Sequence, residues 1–164
     1  MASAFTVKER EIRNALKSKA AVHFGGNSLE VIALWDTGAT SSCISERLAD
    51  DLNLVATGYI PIHTPSGTST VKTYCVDVTL PNDVAIADLP VCSSKIGDQG
   101  IDMLIGMDII GRGDFVVSNY HGQTAFSFRM PSEALMDFVT GIRMSNIIQA
   151  NRTRAPRRSN KKKR

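Results

Sequence analysis

The chain has 164 residues, 43% of them hydrophobic, which suits one domain with a core of its own and helical or flexible ends. No apolar run approaches the roughly 18 residues of a membrane span, and the opening MASAFTVKEREIRNALKSK is too charged for a secretory signal. The net charge of +3 hides an asymmetry: eight of the nineteen Lys and Arg lie in residues 151–164, which hold no acid, so residues 1–150 carry eleven basic against sixteen acidic residues and a net charge of −5.

Residues 6–19 suggest an amphipathic helix, with Thr6 and Glu9 as a capping-box pair and Val7, Ile12, Ala15 and Leu16 on one face. Residues 1–20 therefore read as a helical N-terminal segment. A turn at Gly25-Gly26-Asn27 precedes a strand at 29–35, in which Val31, Ile32, Ala33, Leu34 and Trp35 read as buried. Beyond Asp36-Thr37-Gly38, Ser45 caps a short helix over 46–52. Strands follow at 59–63 and 70–80. In the second, Val71, Thr73 and Cys75 alternate with Lys72, Tyr74 and Val76, a sheet period. The turn Thr64-Pro65-Ser66-Gly67-Thr68 between them makes the pair a hairpin with a polar tip.

Pro81-Asn82-Asp83 is a further turn, 84–92 a strand and 93–100 a loop. Residues 101–111 read as a short apolar strand, a Gly and a brief helix, with Asp108 as a helix cap. A hairpin at 114–118 and 123–128 turns at Asn119-Tyr120-His121-Gly122. Ser132 is placed to cap a helix over about 133–150, with Leu135, Phe138, Val139 and Ile142 on one face. The body is thus mainly β with short helices, and the basic stretch 151–164 reads as a disordered, solvated tail. Such a tail is also able to hold nucleic acid or another polyanion weakly and in a salt-dependent way. His23, His63 and His121 are scattered and read as surface or turn residues. Cys43, Cys75 and Cys92 fit no metal-ligand spacing, and no His-Glu-x-x-His run is present. The expectation is free thiols in a reducing, cytoplasmic setting, with neither metal nor cofactor. Cys43 reads as a small core residue.

The most informative stretch is VIALWDTGATSSCI, residues 31–44. A carboxylate at the buried end of an apolar strand must be hydrogen-bonded, paired or used. A bare Asp-Thr-Gly is a weak signal, but the apolar lead-in and the Ala39-Thr40-Ser41-Ser42 exit strengthen it. Together, LWDTGATSSCIS (34–45) and MLIGMDII (103–110) resemble the retropepsins, the aspartic proteases of retroviruses and retrotransposons, and their bacterial and cellular relatives. The second segment is similar to the apolar-apolar-Gly signature that closes such domains, and its Gly-Met-Asp form is nearest the retrotransposon enzymes. The resemblance covers about residues 20–130. It divides the chain into a domain at 21–130, a C-terminal helix at 131–150 and the tail.

The resemblance implies a small, closed, acid-protease-like β-barrel lobe, with the hairpin near 59–80 as a flap. Asp36 would be the catalytic carboxylate, Thr37 would brace the loop across to a partner subunit, and Gly38 would let substrate backbone pass close. Ala39, Thr40 and the flap residues Thr64, Ser66 and Gly67 would contact substrate, while Leu104, Ile105 and Gly106 would support the loop from behind. Ala39 stands where many pepsin-like enzymes have a Ser that bonds the catalytic carboxylate, which implies activity at less acidic pH. Viral relatives often have acidic residues after Asp-Thr-Gly-Ala and an Arg after the later Gly; Thr40, Ser41 and Met107 lack that charged pair. The interface is then expected to be held otherwise, by the hairpin at 114–128 or the terminal helices. Peptide hydrolysis by this chemistry takes two carboxylates sharing a proton and a water. The chain holds one Asp-Thr-Gly, so the expectation is a homodimeric aspartic endopeptidase with one Asp36 from each copy, acting on protein or peptide substrates. The rival readings are a non-catalytic dimerisation or peptide-binding module of the same fold, and a nucleic-acid platform working through the tail.

Overall fold

Strand by strand, an inside–outside alternation of side chains closes a barrel. The computed structural model describes residues 1–64, 67–97 and 100–154. Strand β1 spans Ser3–Lys8, β2 Leu16–Phe24, β3 Asn27–Trp35, β4 Cys43–Ser45, β5 Gly58–Thr64, β6 Gly67–Leu80 and β7 Val84–Ser94. Strands β8 (Met103–Ile105), β9 (Asp114–Tyr120) and β10 (Gln123–Met130) follow, with helices α1 at Glu46–Asp51, α2 at Met107–Ile110 and α3 at Phe138–Arg154. The β2–β3 turn uses Gly25 and Gly26 at φ +55° and +86°, a region that disfavours side chains.

The order β2-β3-β8-β4-β7-β6-β5 becomes a closed ring because β6 pairs back onto β2 through Ala21–Thr79, Val22–Val78 and His23–Asp77. Six strands form that ring, and β5 hangs outside it as the second arm of the β5–β6 hairpin. The interior is filled by alternate residues of neighbouring strands: Ala20 and Val22, Val31 and Ala33, Val76, Val78 and Leu80, Ile86, Leu89 and Val91. In β3 the alternation is strict enough that Ile32 is exposed, so this strand buries one face only. A second sheet, ordered β1-β10-β9, packs aromatic side chains against the ring. Trp35 of β3 stacks on Phe115 at 5.2 Å, lies 5.2–5.8 Å from Phe5, Phe126 and Phe128, and donates from Nε1 to Ser18 Oγ at 3.0 Å.

The expected helix at 6–19 does not form. Residues 3–8 are a strand paired along its whole length with β10, from Ser3–Met130 to Lys8–Ala125. Phe5 and Val7 point to the core with a two-residue period, and Thr6 Oγ1 meets Ser127 Oγ at 2.8 Å instead of capping anything. The far side of this strand is partly covered, since Asn82 Nδ2 donates to Ala4 O at 2.8 Å. Ser45 does cap α1: its Oγ accepts from Leu48 N at 3.0 Å.

The chain divides into two compact units, Met1–Glu133 and Ala134–Arg164. In the second, α3 begins later than the sequence suggested. Asp137 Oδ1 accepts from Val139 N at 2.9 Å, taking the capping role expected of Ser132. Leu135 precedes the helix, and Phe138, Val139 and Ile142 are exposed. Ser132 instead donates to Asp114, which also accepts from Glu133 N at 2.9 Å and pairs with Arg129. The Ser132 hydroxyl, the Glu133 amide and the Arg129 guanidinium hold the Asp114 carboxyl well below the usual carboxylate range. Of the basic tail, residues 155–164 lie outside the described residues. No described helix is long and apolar enough to cross a membrane.

Candidate active site

Asp36 follows directly on β3, where the chain leaves the ring in a turn. Its amide donates to Ile105 O at 2.9 Å, which extends the parallel β3–β8 ladder by one bond. Its carboxylate is half-exposed, so the buried end expected of this strand is an accessible one. Gly38 N donates to Asp36 Oδ1 at 2.8 Å, and Ala39 N closes the turn on Asp36 O at 3.2 Å. A Cβ at Gly38 would lie 3.2 Å from that same carboxylate oxygen. A side chain there would press on the carboxylate that the Gly38 amide holds. Thr37 and Thr40 are exposed and Ala39 is half-buried.

The loop is clamped from behind. Met107 N donates to Ala39 O at 2.8 Å. Gly106 leaves no room for a Cβ, which would lie 2.7 Å from Ser41 C and 3.0 Å from Ala39 O. Ile105 is fully buried, as is Met103, while Leu104 is half-exposed on the opposite face of β8. Ile105 and Gly106 thus meet the backbone of the Asp36 turn, while Leu104 is paired beside it with Leu34 and Cys43.

Asp108 corrects the sequence reading. The position capping α2 is Gly106, and Asp108 sits inside the helix with its carboxylate aimed at the exit of the loop. Oδ2 accepts from Ser42 N at 2.8 Å and Oδ1 from Ser42 Oγ at 2.7 Å. Ser42 is fully buried, and its Oγ also accepts from Gly106 N at 3.0 Å. This closed set of bonds joins the loop exit to α2 at a place where Thr40, Ser41 and Met107 supply no charged pair. A Ser buried in a hydroxyl-rich run and an Asp one helical residue past a Gly-Met were the available signals; their 66-residue separation concealed the pairing.

The β5–β6 hairpin carries the other predicted residues. Thr64 and Gly67 are paired at its tip, with Gly67 at φ +124°, while Ser66 lies outside the described residues. A cleft of about 660 Å³ runs between this hairpin, α1 and the end of β7, with Glu46, Ile62, Thr70 and Lys95 among its walls. Its lining does not include Asp36.

The family model described as "gag-polyprotein putative aspartyl protease" matches residues 20–112, more than half of the chain. No curated protein matches the sequence. Among solved structures, a retropepsin-like aspartic protease from Rickettsia conorii is similar with a TM-score of 0.54 at 16% identity, over 79% of this chain and 96% of that one. The EIAV protease, in an inhibitor complex, gives 0.48 at 16% identity over 61% and 88% of the two chains. The retroviral protease-like domain of Ddi1 from Leishmania major gives 0.43 at 17% over 73% and 98%. The likeness to the Rickettsia protein is one of fold: a mainly β, closed barrel with few short helices.

Proposed function

Because the chain belongs to this aspartyl protease family of gag polyproteins, we propose that it is an aspartic endopeptidase that cuts protein substrates as a homodimer. What carries the reading is a single Asp-Thr-Gly per chain on a turn braced from behind. Two copies bring two Asp36 carboxylates together on a two-fold axis, where like charges cannot both ionise. The ionised Asp36 takes a proton from water as the oxygen attacks the scissile carbonyl. The protonated Asp36 donates a hydrogen bond to the carbonyl oxygen, where charge develops. Thr37 and Gly38 hold the two turns against each other and against substrate. Ala39, Thr40 and the hairpin tip at Thr64, Ser66 and Gly67 line the path of the peptide, the hairpin closing as a flap.

The second sheet supports the dimer. Its outer strand β9 pairs with β10 alone among the described residues and exposes Val117 and Tyr120. Unpaired strand edges are templates for pairing with another chain. This edge is the candidate seam in place of the missing charged pair.

Asp36→Asn tests the reading. The parent should cleave a reduced, carboxymethylated protein, and the variant should lose cleavage while keeping its circular dichroism and melting temperature. Sedimentation under assay conditions should show dimers. An Asp36→Asn protein that cuts as fast as the parent removes the assignment, and an active monomer removes the two-chain site.

A further inference from the structure

Cys43 and Cys92 are separated by 49 positions in sequence, yet they are direct partners in the parallel β4–β7 ladder. Cys92 also faces Thr73 on the next strand, and Cys43 faces Leu104. Partners in register project from the same face, so the two thiols are neighbours across the ladder. Cys92 Sγ in addition points at Ser42 O, 3.9 Å away, the carbonyl that accepts the Cys92 amide at 3.3 Å. Cys92 is half-exposed, whereas Cys43 is buried. Among the described residues no set of three His, Cys, Asp or Glu side chains is disposed to hold a metal ion.

We propose that Cys43 and Cys92 form a thiol–disulfide exchange site that takes up a small-molecule disulfide of the glutathione class and resolves it into a cross-strand Cys43–Cys92 bond. The Cys92 thiolate attacks one sulfur of the disulfide, forming a mixed disulfide and releasing one thiolate. Cys43 then attacks the Cys92 sulfur, its proton passing to the departing second thiolate. Two protein thiols are oxidised and one small disulfide is reduced to two thiols. Neighbouring strands lie about 4.8 Å apart, inside the roughly 4.4–6.8 Å Cα separation that a disulfide spans.

The electrostatics suit the order of events. The neighbouring Cys43 thiol draws the Cys92 thiol below its ordinary value, against the pull of burial and of the nearby Asp108 carboxylate. Cys43 is pushed far up, first by Cys92 and then by burial, with Asp108 adding to the rise and the Ser94 hydroxyl opposing it. Once Cys92 carries the small thiol, the chief influence raising Cys43 is gone, and Cys43 becomes the attacking group. The bond would tie β4, where the Asp36 loop re-enters the barrel, to β7.

Incubating the folded protein with glutathione disulfide, alkylating and mapping the peptides tests this. The expected product is a Cys43–Cys92 cross-link, about 2 Da lighter at those peptides, with the exposed Cys75 left to the alkylating agent or to glutathione. Cys43→Ser should trap glutathione on Cys92, and Cys92→Ser should leave Cys43 unreacted. A persistent glutathione adduct on Cys92 of the parent, or modification confined to Cys75, overturns the proposal. The readout is mass and not cleavage, so it stands or falls apart from the protease reading.

Discussion

Replacing Asp108 by Ala should loosen the Asp36 loop without touching it. The carboxylate receives the Ser42 amide at 2.8 Å and the Ser42 hydroxyl at 2.7 Å, and Ser42 is fully buried. Truncation strands two donors, each costing about 1–3 kcal/mol when left unmade. Asp108 is only half-buried, so water entering the space offsets part of the loss. A net cost near 3 kcal/mol follows, or a fall in melting temperature of roughly 6–12 °C for a chain of this size. Asp108→Asn retains one acceptor oxygen but turns an NH₂ group toward a donor, and should cost about half as much. Urea titration of the parent, both variants, Ser42→Ala and the double mutant Ser42→Ala/Asp108→Ala supplies the cycle. A coupling of at least about 1 kcal/mol is expected. An Asp108→Ala cost below about 0.5 kcal/mol, or strict additivity with Ser42→Ala, would refute the reasoning.

Gly106→Ala forces a Cβ to within 2.7 Å of the Ser41 backbone. Overpacking of this kind costs about 1–3 kcal/mol, so the variant should melt lower and cleave more slowly; unchanged melting would show that the loop has slack. Asp114→Asn should reveal a pH dependence. Because the folded-state carboxyl of Asp114 titrates below its unfolded value, its stabilisation is present above the unfolded value of about 3.9 and is lost as pH falls through the folded one. The melting-temperature gap between parent and Asp114→Asn should therefore be widest near neutral pH and narrow below about pH 4; a gap independent of pH would count against the pairing. If Ala39 sets the acid limb, Ala39→Ser should shift the pH–rate profile of cleavage to lower pH, and an unmoved profile excludes that role.

Where local alternation and Gly or Pro punctuation govern, the strands were readable from the residues, as in β3, β6, β7 and the β9–β10 hairpin. The N-terminal segment was misread because its partner is remote: Phe5 pairs with Phe128, and a charged run with one spurious capping pair looks helical without that strand beside it. The Asp36 turn and the backbone of Ile105 and Gly106 that meets it were visible as motifs. Ser42–Asp108 and Cys43–Cys92 were not, since the parallel and antiparallel ladders around β4 and β8 alone bring them together. The exposure of Ile32 shows the same limit, for an unbroken apolar run does not reveal which face a ring will use.

Trp35 is the chain's single tryptophan, and it immediately precedes Asp36. Its indole is enclosed by phenylalanines from all three strands of the second sheet and hydrogen-bonded to Ser18 on β2. The molecule therefore contains its own optical probe. Tryptophan emission, excited to the red of the three tyrosines, comes from one site, without a label, at the junction between the barrel and the sheet whose outer edge is the candidate seam. Loss of that packing on dilution, acidification or substitution would appear as a red shift in emission at the residue next to Asp36.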